Sequence, residues 1–489
     1  MLDKFLLEYV ETLYNNQNIN MEKGQSNLYS KQQYYEFLKP VVEVLKKYKD
    51  YSLAEIRNVL FEESGIEEKV RNFIFQREIV PGLVFSYGTE KYKETIVVGN
   101  KQEVDLDENN NIVPALEKMT EDTIFDLASV TKLFTSLSML QLVEKGVVNL
   151  DDEIIKHAPQ FNNLKGITIF DLLSFKVPLK TTARIDAVSS KEESEKLLFG
   201  MEVGEQSKRH YTDMGAMVLK YVIENASGMD FYNYIDVNIL KKFKMPDTHV
   251  VIPKYKLDRV ASTNLAGKYY KDGNVVITSD IVKGKVYDEK AQIMGQQIGN
   301  LSGHAGLFST ALDMTNLAKG IIDRQVINDY YLDEMAKNRT GKEYFEDGER
   351  KYFQYLGFLC YTKHPILETS EIFHAMSGRS FSITGWTGTK FSVDPINNLF
   401  LFMGGSKSHN RMVFIDPVQE DKVKVDDKGK RTIVLPNGEE KIISERFAWD
   451  KSEAVIYPIS KLALQYKMVD DIYKLMNEKL VQDEKTRYI

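Results

Sequence analysis

The 489-residue chain has one cysteine, two tryptophans and no hydrophobic run long enough to cross a bilayer. Its single cysteine, Cys360, excludes an internal disulfide framework and is typical of a reducing compartment. The first residues carry acidic side chains inside their apolar stretch and lack a small-residue cleavage site, so they do not have the layout of a secretory signal. Together these absences predict a cytoplasmic protein without a membrane span.

An excess of basic charge is also missing. Lys and Arg number 64 against 71 Asp and Glu, for a formal net charge of −7, which argues against a nucleic-acid surface. The hydrophobic fraction of 43% and the charged fraction of 28% are typical of a soluble globular protein. A chain of this length predicts one large two-lobed region with appendages.

Signals for a cofactor are weak. Residues 404–410, "GGSKSHN", contain two glycines and a lysine without the spacing of a phosphate loop. Residues 287–290, "YDEK", place two acids side by side without a histidine beside them, which is not the pattern of a metal site. We therefore expect neither a metal nor an organic cofactor.

The hydrophobic pattern divides the chain into two parts. Residues 1–75 have helical spacing and predict an N-terminal helical extension whose apolar face packs on the rest. From residue 76 onward "IVPGLVFSYG" and "ETIVVGN" predict a hairpin, and later strands are predicted at "YFQYLGFLCYT", "SFSITGWTGTKFSVDP" and "NLFLFMGG". Strands on both sides of a helical middle predict an α/β (α+β) domain over residues 76–489, with one antiparallel sheet assembled from both ends.

The helical middle contains three candidate helices, at about 129–146, 167–175 and 214–228, and a fourth follows at "ALDMTNLAKGIID". Gly146 is suited to end the first of them in a left-handed conformation. Alternating charged and β-branched residues at about 413–444 predict an exposed β-ribbon insertion with turns at 427–429 and 436–438.

Ser129 and Lys132 stand one helical turn apart at the start of the first candidate helix, so their side chains share a face. A serine hydroxyl is a weak nucleophile until a neighbour takes its proton, and a lysine among apolar side chains can assist. The backbone N–H groups of the helix start could hold a developing oxyanion. The alternative is a serine near a helix cap followed by a solvated lysine.

Tyr211 and Asp213 immediately precede the candidate helix at 214–228. Asp213 could simply cap that helix. A tyrosine on such a loop could equally act as a general base if cationic neighbours stabilise its phenolate.

Three motifs in this order resemble the serine β-lactamase-related family of class C β-lactamases, D-alanyl-D-alanine carboxypeptidases and esterase relatives. They are "SVTK" at 129–132, "YTD" at 211–213 and "ITGWTGT" at 383–389, and flanks such as "SGHAGLFSTALDM" are also similar. The resemblance spans about residues 75–412. It implies a β-lactamase/transpeptidase-like two-lobed fold, with an antiparallel sheet flanked by helices, an all-helical lobe and a site between them.

The resemblance also implies roles for individual residues. Ser129 would be the acyl-accepting nucleophile, Lys132 its proton partner and Tyr211 the base that then protonates the leaving group. The backbone N–H groups of Ser129 and Trp386 would form the oxyanion hole. Thr384 and Gly385 belong to the strand that would line the substrate site, and Trp386 would face the cleft or else belong to the core.

This chain departs from the family pattern at two positions. Asp213 replaces an asparagine and should tend to keep Lys132 protonated. Ile383 replaces a basic residue that pairs with a substrate carboxylate, so specificity should change. His304 is either a substitute cation at the site or, as we favour, a structural histidine in a Gly-rich turn.

We therefore expect a serine hydrolase that forms an acyl-enzyme on a small-molecule or peptidic ester or amide. The alternative activity is that of a β-lactamase or D,D-carboxypeptidase. An alternative of another class is a non-catalytic binding or regulatory protein on the same scaffold, suggested by Ile383 and Asp213. The sequence predicts no oligomeric state.

Overall fold

A computed structural model describes most of the chain, namely residues 2–16, 29–206, 210–263, 268–271, 274–277, 283–364, 370–372, 376–414, 422–435, 438–444 and 456–487. Its α-helices are α1 (Leu2–Asn16), α2 (Lys31–Lys47), α3 (Leu53–Ser64), α4 (Ile66–Arg77), α5 (Thr131–Glu144), α6 (Ile154–His157), α7 (Ile169–Leu173), α8 (Lys191–Phe199), α9 (Met214–Ser227), α10 (Phe231–Ile235), α11 (Glu289–Met294), α12 (Ala311–Ile322), α13 (Asp329–Ala336) and α14 (Ile456–Arg487). Its strands are β1 (Gly82–Thr89), β2 (Lys93–Leu106), β3 (Ile112–Lys118), β4 (Phe125–Asp126), β5 (Leu179–Lys180), β6 (Glu202–Val203), β7 (Lys268–Lys271), β8 (Asn274–Ile277), β9 (Phe308–Ser309), β10 (Glu343–Glu346), β11 (Glu349–Tyr352), β12 (Tyr361–Thr362), β13 (Phe381–Gly385), β14 (Thr389–Asp394), β15 (Leu399–Gly405), β16 (Met412–Phe414), β17 (Val423–Val425), β18 (Arg431–Val434) and β19 (Glu440–Ile442).

The central sheet has seven strands in the order β12-β13-β14-β15-β1-β2-β3. All of its neighbours are antiparallel, and the late strand β15 pairs with the early strand β1, with Ser86 opposite Phe402. The expectation of one antiparallel sheet assembled from both ends of the domain is therefore confirmed. The N-terminal and C-terminal strand groups must meet before the sheet is complete.

The two faces of the sheet pack into different hydrophobic cores. Strand β1 shows this, because successive side chains of a strand point to opposite faces. Val84 packs into the core that contains α5, α9 and α12. Leu83, Phe85 and Tyr87 pack into a second core, formed with α1 to α4 and with α14. The N-terminal helices thus pack on the sheet as expected, and α14 joins them there. The division at residue 75 stays a prediction.

Helix α5 lies in the middle of the first core. Its residues from Thr131 to Leu142 are buried on every side, which is typical of a central helix rather than a surface one. Helices α6, α7, α9 and α10 pack around it and around one another to form the helical lobe. Because α5 begins beside the sheet, its first turn lies at the junction of the two lobes.

The strand predicted at "YFQYLGFLCYT" is corrected by the structure. Of the segment "YFQYLGFLCYT", only Tyr361 and Thr362 join the central sheet. Leu359 has a left-handed backbone (φ 52°), and a side-chain carbon at Gly357 would lie 2.0 Å from the Met335 carbonyl oxygen, so this stretch is a buried loop packed on α13. Cys360 is buried in that loop rather than in a strand, and its Sγ donates to the same carbonyl.

The predicted ribbon at about 413–444 is a three-stranded meander of β17, β18 and β19. The turn at 427–429 joins β17 to β18, with Gly429 at φ 78°. Of the second predicted turn, residues 436–437 lie outside the described residues. Within the described part of the chain, no helix combines the length and apolarity needed to span a bilayer.

We predict that the buried carboxylate of Asp470 anchors α14. It pairs with Arg57 of α3 and accepts a hydrogen bond from the Thr89 hydroxyl of β1 at 3.1 Å, and both ion-pair partners are less than a tenth exposed. Asp470→Ala leaves the guanidinium buried without its partner, so the free energy of unfolding should fall by ~3–5 kcal/mol. Chemical denaturation measures this change.

The control is Glu43→Ala, which removes an exposed ion pair with Lys39 on α2. It should change the free energy of unfolding by less than about 0.5 kcal/mol. Equal effects of the two variants would contradict the anchoring role of Asp470.

Candidate active site

Ser129 lies in a 3₁₀ turn, Ala128–Val130, that leads directly into α5. The turn begins with an unusual backbone, because Ala128 has φ +45°. The buried carboxylate of Asp126 accepts the Ala128 N–H at 2.8 Å and the Tyr287 N–H at 2.7 Å. Burial raises the pKa of Asp126 to about 6, against the effect of these two hydrogen bonds. The serine turn is therefore held by a buried acid rather than by helix propensity.

The Lys132 ammonium is fully buried and makes contacts on several sides. Its Nζ lies 2.9 Å from Ser129 Oγ, 3.2 Å from the His304 carbonyl oxygen and 2.8 Å from Asp213 Oδ1. It also lies 5.0 Å from the centre of the Tyr211 ring. Burial alone would lower the pKa of Lys132, but Asp213 and the Tyr211 hydroxyl outweigh burial, and the net pKa is raised.

Asp213 occupies the cap position of α9 but makes no side-chain capping bond there. Its other carboxylate oxygen, Oδ2, lies 3.3 Å from Lys290 Nζ. Burial works to raise the pKa of Asp213, but Lys132, His304 and Lys290 hold it well below its usual range. The Asp213 carboxylate is therefore the anion that accompanies the buried Lys132, and the simple capping alternative does not describe it.

The charged chain continues beyond Asp213. Lys290 Nζ lies 3.1 Å from Asp288 Oδ2, and Asp288 Oδ1 lies 3.0 Å from His304 Nε2. Ser302 Oγ contacts His304 Nδ1 at 3.1 Å. Alternating charges thus run from Lys132 through Asp213 and Lys290 to Asp288, and the His304 ring contacts the far oxygen of Asp288.

Tyr211 is positioned by stacking. Its ring lies 5.2 Å from that of Phe175 at 24° and 5.7 Å from that of Tyr361 at 5°. Its backbone N–H donates to Gln354 Oε1 at 3.2 Å. The two flanking rings leave the phenol edge directed at the Lys132 side of the cleft, in agreement with the contribution of its hydroxyl to the pKa of Lys132.

The turn between β13 and β14 is fastened to the segment that precedes Ser129. Thr387 Oγ1 donates to the Asp126 carbonyl oxygen at 2.6 Å, and Thr389 Oγ1 donates to the Leu127 carbonyl oxygen at 3.0 Å. A side-chain carbon at Gly385 would lie 2.1 Å from Thr389 Oγ1 and 2.4 Å from the Leu127 oxygen. Only glycine allows this approach, which brings the backbone of Trp386 toward that of Ser129.

These elements enclose a cleft of about 250 Å³. The cleft is rich in charged and aromatic groups, and its lining residues are Ser129, Tyr211, Asp213, Asp288, Tyr361, Glu371, Thr384, Gly385, Trp386, Gly388, Thr389, Lys390, Met403 and Lys407. Trp386 is 41% exposed, so it faces the cleft and not the core. Lys407 Nζ lies 4.3 Å from the centre of the Trp386 ring, and Lys390 Nζ lies 3.0 Å from Glu371 Oε2.

The structure brings most of the predicted site residues together: Ser129, Lys132, Tyr211, Asp213, Thr384, Gly385 and Trp386. His304 is almost wholly buried behind Asp288, which agrees with the structural alternative for its side chain. Ile383 is fully buried in the first core, opposite Phe391.

Five charged residues of the site were not predicted from the sequence, one of them Glu371, which pairs with Lys390. Asp288 and Lys290 have no histidine next to them in the sequence, so no metal site was predicted there. In the structure His304, which lies fourteen or more positions further along the chain, contacts Asp288 and joins their cluster. Lys390 and Lys407 follow the "ITGWTGT" strand and the "GG" that ends β15, and both line the cleft. Lys390 and Lys407 therefore place positive charge at the cleft, which the uncharged side chain of Ile383 cannot do.

Asp213, Asp288 and His304 bring potential ligand atoms within 4.8 Å of one another, close enough for a metal ion. However, Lys132 and Lys290 already contact the two carboxylates. Two ammonium groups at this range repel a further cation. The group therefore fits an ion-pair network better than a metal site.

A family model described as Beta-lactamase matches residues 95–423, more than half of the chain. The chain belongs to the beta-lactamase family, as its motifs indicated. A putative D-alanyl-D-alanine carboxypeptidase of Salmonella typhi is 26% identical over 317 residues, which cover 60% of this chain and 71% of that protein.

Solved structures share the fold at low sequence identity. The octameric penicillin-binding protein homologue from Pyrococcus abyssi has a TM-score of 0.51 at 20% identity, covering 70% of this chain and 73% of its own. Unliganded simvastatin synthase (LovD) from Aspergillus terreus has a TM-score of 0.53 at 15% identity, and the match covers 82% of this chain and 98% of LovD. EstCE1, a hydrolase with promiscuous acyltransferase activity, has a TM-score of 0.53 at 15% identity, and the match covers 73% of this chain and 95% of EstCE1. The predicted β-lactamase/transpeptidase-like fold is confirmed.

We predict that Gly385→Ala uncouples Trp386 from Ser129 without unfolding the protein. The new methyl group would displace the β13 end from Leu127, so a backbone donor at Trp386 would move away from the serine. The rate at which a fluorophosphonate labels Ser129 should fall by roughly 10²–10³-fold.

Gly200→Ala is the control, because a side-chain carbon there finds its nearest neighbour at 3.2 Å, at the end of α8 and away from the cleft. It should leave the labelling rate unchanged. A normal rate for Gly385→Ala in folded protein would show that the close approach has no part in serine reactivity.

Proposed function

We propose that this protein is a serine hydrolase that transfers the acyl group of an ester or amide to Ser129 and then to water. One observation carries the proposal: Lys132 Nζ contacts Ser129 Oγ at 2.9 Å and faces the Tyr211 ring at 5.0 Å, beside an open cleft. A buried cation between a hydroxyl nucleophile and a phenol is the arrangement that serine activation needs. A purely structural lysine would not require either neighbour.

In the first step Ser129 Oγ forms a bond to the substrate carbonyl carbon, and the carbonyl oxygen gains negative charge. The backbone N–H groups of Ser129 and Trp386 are the proposed donors to this oxygen. In this mechanism Tyr211 reacts as its phenolate: its oxygen accepts the proton of Ser129 and then delivers it to the leaving oxygen or nitrogen as the bond to carbon breaks. Water repeats the sequence on the acyl-enzyme and releases the acid.

Asp213 decides the part that Lys132 plays. Because the carboxylate raises the pKa of Lys132, the amine is an ammonium at neutral pH and has no lone pair with which to accept a proton. We therefore assign the proton-accepting role to Tyr211 and an electrostatic role to Lys132, which stabilises negative charge on the phenol and serine oxygens.

An ester or amide is our first choice of substrate. The buried Ile383 removes the cation expected at its position, which weakens recognition of a substrate carboxylate from that strand. The second candidate is a D,D-carboxypeptidase or β-lactamase activity. Lys390 and Lys407 favour it, since both ammonium groups line the cleft, and a matched relative carries the carboxypeptidase name.

A non-catalytic role would leave no reason for Ser129, Lys132 and Tyr211 to stay in contact around an open cleft. The cytoplasmic location stays a prediction.

Covalent labelling is the direct test of the nucleophile. Intact-mass analysis after treatment with a fluorophosphonate should show one adduct, and Ser129→Ala should abolish it. Ser138→Ala is the matched control, because Ser138 is buried on the same helix and its hydroxyl makes no hydrogen bond to a described residue. Labelling of Ser129→Ala, or loss of labelling in the control, would contradict the assignment.

The kcat/KM values for a short neutral ester, a D-alanyl-D-alanine peptide and a penicillin then rank the two candidate activities. We expect the ester to be preferred. Efficient turnover of the peptide or the penicillin with poor ester hydrolysis would instead favour the second candidate, with Lys390 or Lys407 as the carboxylate partner.

We predict that Asp213→Asn moves the alkaline limb of the labelling profile to lower pH. Without the carboxylate, burial dominates and the pKa of Lys132 falls. The ammonium is then lost at a lower pH than in the unmodified protein, and Ser129 reactivity should fall with it. The measurement is the fluorophosphonate labelling rate as a function of pH.

Asp236→Asn, which alters a carboxylate paired with Lys241 outside the cleft, should leave the profile unchanged. If Lys132 acted instead as a neutral base, Asp213→Asn would increase reactivity near neutral pH. That outcome would reverse the roles proposed for Lys132 and Tyr211.

A further inference from the structure

A second cavity of about 390 Å³ adjoins the candidate cleft. Its wall is mostly aromatic, formed by Tyr344, Tyr352, Phe353, Tyr355, Tyr361 and His364. Tyr361 and Glu371 line both cavities, so the two share part of their wall. We call this second cavity the aromatic groove.

The rings of the aromatic groove are arranged as a connected surface. The Tyr355 and His364 rings lie 4.6 Å apart, the Tyr352 and His364 rings 5.2 Å, and the Tyr344 and Phe353 rings 4.7 Å. Tyr361, at the entrance, lies parallel to Tyr211 of the candidate site. An ordered set of aromatic faces and edges binds flat rings through offset or edge contacts.

Arg350, Lys351 and Glu371, which line the groove, each contact a side chain of opposite charge that lies outside its lining. Arg350 contacts Glu343 at 2.9 Å, and Lys351 contacts Glu349 at 2.6 Å. Glu371, where the groove meets the cleft, contacts Lys390 at 3.0 Å. Because Arg350 and Lys351 each have an acidic neighbour and Lys342 Nζ lies 4.9 Å from the centre of the Phe353 ring, these cations already have partners within the protein. Its occupant should therefore be neutral.

The orientation of Tyr211 determines which end of a substrate enters the groove. In the proposed mechanism Tyr211 protonates the leaving group, so the leaving group lies over the Tyr211 side of the cleft. Tyr361 stacks on that residue and opens into the groove. The leaving group therefore lies on the side of the cleft that borders the groove, whereas the acyl carbonyl is directed to the backbone at Ser129 and Trp386.

We infer that the aromatic groove binds the uncharged, aromatic leaving-group end of the substrate and so selects esters or amides with a ring-bearing leaving group over those with a short one. The inference rests on the proposed function, since it assigns the groove to the leaving side of that same site. It adds a specificity-determining surface built by the hairpin β10–β11 and the segment that follows it. Tyr344 and Tyr352 are its most readily tested members, because both are half-buried on the hairpin.

The hairpin also provides a matched control. Phe345 follows Tyr344 on β10, points to the opposite face and is 68% exposed. Removing its ring deletes as large an aromatic group from the same strand without changing the groove. A general effect of the hairpin on folding would appear in Phe345→Ala as well as in Tyr344→Ala.

The experiment compares kcat/KM for 2-naphthylmethyl acetate and ethyl acetate, which share the acyl group and differ in the leaving group. The unmodified protein should prefer the naphthylmethyl ester. Tyr344→Ala and Tyr352→Ala should each lower this preference by about fivefold with little change for ethyl acetate, and Phe345→Ala should leave it unchanged. A preference that survives both tyrosine variants, or that falls equally in Phe345→Ala, overturns the inference.

Neutrality is tested with a naphthylmethyl acetate that carries a carboxylate on the far ring. It should be a poorer substrate than the uncharged ester, and a better one would overturn the neutral assignment. A direct binding measurement tests the groove separately from the proposed hydrolase activity. Isothermal titration with 2-naphthylmethanol, the leaving alcohol, should show binding that Tyr352→Ala weakens and Phe345→Ala does not.

If neither ester is hydrolysed, the choice of an ester as substrate in the proposed function fails. The titration still decides whether the groove takes a neutral aromatic ligand, and absence of binding overturns the inference.

Discussion

The buried ammonium of Lys132 is the constraint on which the site depends. A charge removed from water is stable only beside an opposite charge and with its hydrogen bonds satisfied. Asp213 supplies that charge, and its second oxygen contacts Lys290, which also contacts Asp288. The other oxygen of Asp288 contacts the ring of His304. These groups come from the start of α5, the start of α9, the residues around the start of α11 and the turn before β9. Charge compensation thus fixes how these segments meet.

Hydroxyl and glycine contacts set the second wall of the cleft. Thr387 and Thr389 tie the β13–β14 turn to the backbone before Ser129, and Gly385 lets the two chains approach. The opposite face of the sheet is covered by α1 to α4 and α14, which share one core. Strand β15, which lines the cleft through Met403, is therefore packed between the two cores. Such packing favours a fixed arrangement of donors, which electrostatic catalysis requires.

The periodic segments were predicted well because their signals are local. Helix α9 is mostly apolar and buried, and Gly228 follows its last residue. Strand β15 is a short apolar run. In both cases the residues of the segment itself indicate where the element begins and ends. The segment at 352–362 misled the prediction because its apolar composition is that of a strand. Its path is decided instead by the close approach of Gly357 to Met335 and by the left-handed Leu359. Neither contact is visible in the sequence pattern.

The sequence by itself determined the family, the sheet assembled from both ends and the motifs that bear Ser129, Lys132 and Tyr211, because spacing along a helix or strand places side chains over short distances. Only the tertiary structure decided the partners of those residues. Asp288, Lys290, Lys390 and Lys407 stand in ordinary sequence contexts and reach the cleft through contacts between distant segments. The burial that sets the charge of Lys132 likewise depends on the surrounding packing, since desolvation is a property of the whole fold and not of any one motif.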